Sequence, residues 1–167
     1  SFHDYDNEGS NINYFGPGDG NAYLIPAGYP ILVYMRWDDW TQVNQDYELY
    51  LFSWTSSEGW TLVAGSTNTQ DGSAGQSPTE AIYVAAPKQA VYGFVVRRYQ
   101  AARAVNLEIF APKMSGLQYR NPSRSLANLA DSASAMTVAA LDVSSPYPLE
   151  PYSSQGPTNG PGGTAAG

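Results

Sequence analysis

The chain has 167 residues, 43% of them hydrophobic, which is enough apolar material for one packed domain. Eight Lys and Arg stand against 15 Asp and Glu, a net charge of -7, and this excludes nucleic acid as a partner because a phosphate backbone demands clustered cations. The absence of Cys removes disulfides and thiolate metal sites, and no stretch approaches the roughly 18 apolar residues of a membrane span, so membrane insertion is not expected.

Ser1 to Asn7 lacks the charged-then-apolar pattern of a signal peptide, which places any export signal outside the chain. From there to about residue 115, short apolar runs alternate with turn residues, the spacing of an antiparallel sandwich. Ala22 to Ile25 and Ile31 to Trp37 are separated by Pro26, Gly28 and Pro30, which break any helix and predict that the two runs pair as strands. In Tyr47 to Trp54 the period of two puts Leu49 and Leu51 on one face and Tyr50, Phe52 and Trp54 on the other. A hairpin turn over Ser56 to Gly59 leads to Trp60 to Ala64. Glu80 to Ala85, Val91 to Tyr99 and Val105 to Phe110, rich in Val, Ile, Tyr and Phe, complete the set. Ser66 to Pro78 and Pro87 to Ala90 are loops, and a further hairpin is expected at Gln100 to Ala104.

Near Ala111 to Gly116 the aromatics thin out and Ser, Ala, Asn and Pro take over, so two regions are expected, 1–115 and 116–167. Ser125 to Ala135 reads as a short helix or an irregular loop, Met136 to Val143 as a strand, and the Pro and Gly clusters of Ser153 to Gly167 forbid regular structure. The expected fold is all-β, an antiparallel β-sandwich of jelly-roll type followed by an irregular tail with one strand. The tail is too poor in apolar residues to bury a core alone and needs a partner surface.

Candidate chemistry is sparse. His3 is the sole histidine, and its place near a chain end disfavours the fixed geometry a general base requires. Asp4, Asp6, Asp38, Asp39, Asp46 and Glu48 offer hard oxygens of the kind Ca²⁺ takes in sets of roughly six to eight, with Asp38, Asp39, Asp46 and Glu48 the candidates of choice. No Asp-rich calcium-loop motif accompanies them, and acidic residues at strand ends are commonly solvated. Trp37, Trp40, Trp54 and Trp60 with the tyrosines could make a stacking platform for sugar or a docking patch, Trp40, Trp54 and Trp60 being the substrate-binding candidates. Core packing is the ordinary alternative. Arg97, Arg98 and Arg103 form the basic cluster, either solvated or paired with acidic surface on another body.

The tail carries a resemblance. Ser125-Leu126-Ala127-Asn128-Leu129-Ala130-Asp131 is followed by Ala135-Met136-Thr137-Val138-Ala139-Ala140-Leu141-Asp142 and then by Tyr152-Ser153-Ser154-Gln155-Gly156-Pro157-Thr158. These resemble, in order, the S-x-x-x-P-A-D loop, the T-V-G-A-x-D core strand and the Y-S-S-x-G-P-T segment of the subtilisin-like serine proteases. Leu129 and Ala139 depart from that pattern, standing where the family often has Pro and Gly. The resemblance covers about residues 123 to 167 and implies a secreted protease whose triad Asp and His and oxyanion Asn lie upstream and whose nucleophile lies downstream. The nucleophile's usual setting, G-T-S-x-A-x-P, is absent here, since Gly163-Thr164 is followed by Ala165. No catalytic residue is therefore expected in this chain. Residues 1–115 would be a non-catalytic insert, comparable with the jelly-roll or β-sandwich inserts of large bacterial subtilases, and its partners would be the rest of the protease and its protein substrate. Trp37-Asp38-Asp39 and Asp46-Tyr47-Glu48-Leu49-Tyr50-Leu51 also resemble the W-x-D and D-x-D-L-x-L strands of pre-peptidase C-terminal domains. A carbohydrate- or protein-binding β-sandwich module is the alternative.

Overall fold

A computed structural model describes residues 2–4, 11–13, 21–114, 116, 117, 119, 136, 138–150, 153 and 155. Nine strands follow one another: β1 (Phe2–Asp4), β2 (Asn11–Asn13), β3 (Asn21–Ile25), β4 (Pro30–Trp37), β5 (Asp46–Thr55), β6 (Gly59–Ser66), β7 (Thr79–Ala85), β8 (Ala90–Gln100) and β9 (Leu107–Phe110). The chain is all-β, and the described residues contain no helix. The strands form two antiparallel sheets, as expected of a β-sandwich. The larger runs β1-β2-β8-β5-β6 with β3 also paired to β8, and the smaller runs β7-β4-β9.

Alternation in the sequence becomes burial in the structure. Along β4 every second residue, Ile31, Val33, Met35 and Trp37, is at most 1% exposed, while the residues between them are half-buried. They meet Leu49 and Leu51 of β5, Tyr92, Phe94 and Val96 of β8, Ile25 of β3 and Ile82 of β7 in one apolar core. Each such side chain contributes about 1.5–3 kcal/mol through removal from water. Trp37 and Tyr47 meet edge to face at 5.4 Å, the arrangement their ring quadrupoles favour.

Connectivity differs from the sequence expectation in two places. The runs flanking Pro26 to Pro30 do not pair: β3 joins β8 in the larger sheet, whereas β4 lies between β7 and β9 in the smaller one. The reason is burial on both sides, since Ile25 and the β4 apolar residues cover the core from opposite layers. Similarly, residues 100–104 do not close a hairpin, because β8 and β9 lie in different sheets and the segment crosses between them. Among the described strands, β1–β2 and β5–β6 are the consecutive pairs that bond to each other. The β5–β6 turn lies where expected, with Gly59 at φ 69° supplying the left-handed residue.

The chain divides into two compact units, residues 1–119 and 120–167. The first reaches past the expected limit at 115: Met114 is buried in the core, and Asn21 exchanges hydrogen bonds with the Tyr119 backbone, donating at 2.5 Å and accepting at 3.1 Å. In the second unit, the strand expected over Met136 to Val143 is not formed at the described positions. A single bridge joins Leu141 to Leu149, flanked by bonds from Asp142 N to Pro148 O and from Glu150 N to Ala140 O, both 2.9 Å. Met136, Val138 and Val143 are exposed, and at the described positions the pairing is limited to that bridge, too short a ladder for a strand. Residues 125–135, expected as a helix or loop, lie outside the described residues, as do Thr137, Tyr152, Ser154 and 156–167.

Candidate binding face on the larger sheet

Cross-strand partners share a face of a sheet, so the register identifies what the larger sheet turns away from the core. Trp54 is opposite Trp60 and Val91, Phe52 is opposite Leu62 and Gly93, and Tyr50 is opposite Gly65 and Val95. Leu24 and Ala22 of β3 extend the same rows beyond Val91 and Gly93. The outer face is therefore almost continuously apolar and aromatic, with Trp60 57%, Leu62 56%, Leu24 55% and Trp54 40% exposed.

Two glycines set the posture of the rings. A methyl carbon on Gly93 would lie 3.5 Å from Cη2 and Cζ3 of Trp60, although Trp60 stands two strands away on β6. Two inter-strand spacings amount to about 9.5 Å, a distance an indole covers only by lying down across β5. Likewise, a methyl on Gly65 would approach Cδ1 and Cε1 of Tyr50 to 3.1 Å, so the tyrosine ring roofs that glycine. Phe52 lies between them, its centroid 6.5 Å from that of Tyr50. The Trp60 and Tyr50 rings reach over Gly93 and Gly65, Phe52 is tilted 47° against Tyr50, and aromatic surface is left turned to solvent.

One end of this face is polar. Glu48 Oε2 accepts from the Tyr50 hydroxyl at 2.7 Å and from Arg97 Nη1 at 3.1 Å, and the Arg97 guanidinium lies 5.4 Å from the centre of the Tyr99 ring. Burial, and then the hydrogen bond to Glu48, push the Tyr50 hydroxyl above its ordinary range. Arg97 Nε is buried without a hydrogen-bond partner.

Of the tryptophans singled out in the sequence, Trp54 and Trp60 come together here. Trp40 stands in the turn after β4, off the sheet, and Trp37 is core. Tyr50, Phe52, Gly65 and Gly93 were not singled out as site residues. Glycine inside a run of strand formers marks a close approach to the backbone, and that signal at Gly65 and Gly93 could have found the rings.

The acidic candidates do not assemble as a cage. Asp39 is buried, with Oδ2 accepting the Asn44 and Gln45 N–H groups at 2.7 and 2.9 Å and Oδ1 accepting from Arg103 at 2.7 Å. Asp38 accepts from the backbone and side-chain nitrogens of Asn106 at 3.0 and 2.7 Å. These bonds clamp the β4–β5 loop to the β8–β9 crossover, and Gln45 Oε1 strengthens the clamp by accepting from Ala102 N and Arg103 N. Glu48 is engaged by Tyr50 and Arg97, and Asp46 faces the 67–78 connection. Among the described residues no group of three or more His, Cys, Asp or Glu side chains is placed to hold a metal. Asp4 is in β1, and Asp6 lies outside the described residues.

Two arginines of the basic cluster, expected to be solvated or to pair with acidic surface on another body, are instead paired within the chain, Arg97 with Glu48 and Arg103 with Asp39. His3, expected in a flexible terminus, belongs to β1 opposite Ile12. Compared with family models, curated proteins and solved structures, the chain has no match in any of the three.

Proposed function

We propose that this chain is a non-catalytic part of a secreted bacterial subtilisin-like serine endopeptidase, in which residues 1–119 form an accessory β-sandwich that governs substrate access or stabilises the enzyme. The observation that carries the reading is the order of motifs in the tail, Ser125 to Asp131, Ala135 to Asp142 and Tyr152 to Thr158. The β-unit supports an accessory role in two ways. It has its own two-layer core, and it presents an apolar face where an isolated enzyme domain would present polar groups. A catalytic role has little to draw on, since the chain holds one His and no G-T-S-x-A-x-P string. The reading is tested by the coding sequence on either side of Ser1 and Gly167. It is expected to continue in frame to G-T-S-x-A-x-P downstream and to triad Asp and His motifs upstream, and a frame without them refutes the parentage. The purified chain is expected to leave casein uncut, and hydrolysis abolished by replacing one of its own serines would overturn the non-catalytic assignment.

A second reading, a binding module for carbohydrate or protein unconnected with any protease, draws support from the flat rings of Tyr50 and Trp60.

A further inference from the structure

We infer that the outer face of the larger sheet is a binding surface for a neutral, ribbon-like polysaccharide, with Trp60 as its central stacking residue. The inference rests on reading the β-unit as a non-catalytic binding body, and it holds whether or not that body belongs to a protease.

Three features select a sugar chain over an apolar protein patch. The first is posture. Rings that anchor a protein interface project and fill pockets in the partner, whereas Trp60 lies across β5 with its far edge over Gly93, and Tyr50 lies over Gly65. Rings held flat cannot enter a pocket, but they match a ligand that is itself flat and carries C–H groups on its face. The second is the mixture of surfaces. The apolar rows end at Tyr50, Arg97 and Glu48, polar groups bonded to one another at the edge of the aromatic surface. A ligand with hydroxyls along its edge can use both surfaces at once, as sugar sites with an apolar floor and a few placed polar groups do. The third is charge. Arg97 is already paired with Glu48, and the chain carries a net charge of -7, so acidic glycans are disfavoured and a neutral chain fits.

The test uses the whole chain in affinity electrophoresis through hydroxyethylcellulose and xylan and in sedimentation with cellulose and chitin, with gelatin and casein beads as protein probes. Retention by at least one of the four polysaccharides is expected. Trp60→Ala is expected to weaken it about tenfold, the scale of one lost aromatic contact. Gly93→Val, whose branched side chain lifts the indole from the sheet, is expected to act in the same direction. Trp40→Ala, off the sheet, is expected to bind like the parent chain. Trp60 is exposed, so its replacement leaves the core intact, and an unchanged melting temperature certifies that. Should Gly93→Val unfold, Trp54→Ala takes its place. No retention by any polysaccharide, or retention indifferent to Trp60→Ala, overturns the proposal. Capture by gelatin or casein alone, lost in Trp60→Ala, also overturns the sugar assignment but leaves the accessory role standing, because parentage is decided separately by the flanking coding sequence.

Discussion

Replacing Asp46 with Asn should stabilise this chain, and only above mildly acidic pH. Asp46 opens β5 with 4% of its surface exposed, and its Oδ1 is buried without a partner. Its carboxyl is pushed up from 3.8 to about 6, first by burial and then by the negative charges of Glu48, Glu80 and Asp71, while the Gln70 N–H works the other way by favouring the ionised form. Because the folded value lies above the unfolded one, the native state holds this proton more tightly. The stability it confers is full below the unfolded value of 3.8 and is lost as pH rises through about 6. A shift of this size corresponds to about 3 kcal/mol at most, and local rearrangement around the ionised group reduces the working figure to about 1–3 kcal/mol. Asp46→Asn cannot ionise and keeps an oxygen for the Gln70 N–H. Urea unfolding of both proteins, followed by tryptophan fluorescence at half-unit steps from pH 4 to 8, should give curves that coincide near pH 4. They should separate towards pH 6.5 and run parallel beyond it, with the variant the more stable. A constant difference across the series, or a variant less stable at pH 7.5, would refute the reasoning.

Asp39→Ala removes the shared acceptor of Asn44, Gln45 and Arg103 and leaves buried donors without a partner. It should cost about 3 kcal/mol in urea unfolding, and a loss under about 1 kcal/mol would show that the β4–β5 loop does not depend on this clamp. Chelation with EDTA should leave the melting temperature of the whole chain unchanged, since the carboxylates of Asp38, Asp39 and Glu48 are already engaged by donors of the chain itself. A fall of several degrees, reversed by added calcium, would reinstate the ion.

The aromatic face was half legible. Alternation along Tyr47 to Trp54 separated Leu49 and Leu51 from Tyr50, Phe52 and Trp54, and the turn at Ser56 to Gly59 brought Trp54 towards Trp60. Both are local facts: a period of two and a tight turn involve neighbours in sequence. That Trp60 reaches Gly93 was not legible, because it requires β8 to lie beside β5, a pairing made between segments some forty residues apart. The acidic residues mislead for a related reason. Asp38 and Asp39 look free beside one another in the sequence, yet Asn106 and Arg103, two of their donors, arrive from the β8–β9 connection, 68 and 64 residues along the chain.

The sequence by itself determined the seven runs that become β3 to β9 and, within β5, which residues share a face, since the side-chain period and the breaking power of Pro and Gly act over a few residues; β1 and β2, three residues each, were not legible. It also determined the net negative charge and the order of motifs in the tail. Tertiary structure alone decided the partners: β3 with β8 and β4 with β7 and β9, the crossover at 100–104, and the absence of a strand at the described positions of 136–143. Strand pairing is a contest among distant edges for hydrogen bonds and cover, and good strand residues alone do not decide it, as the single bridge between Leu141 and Leu149 shows.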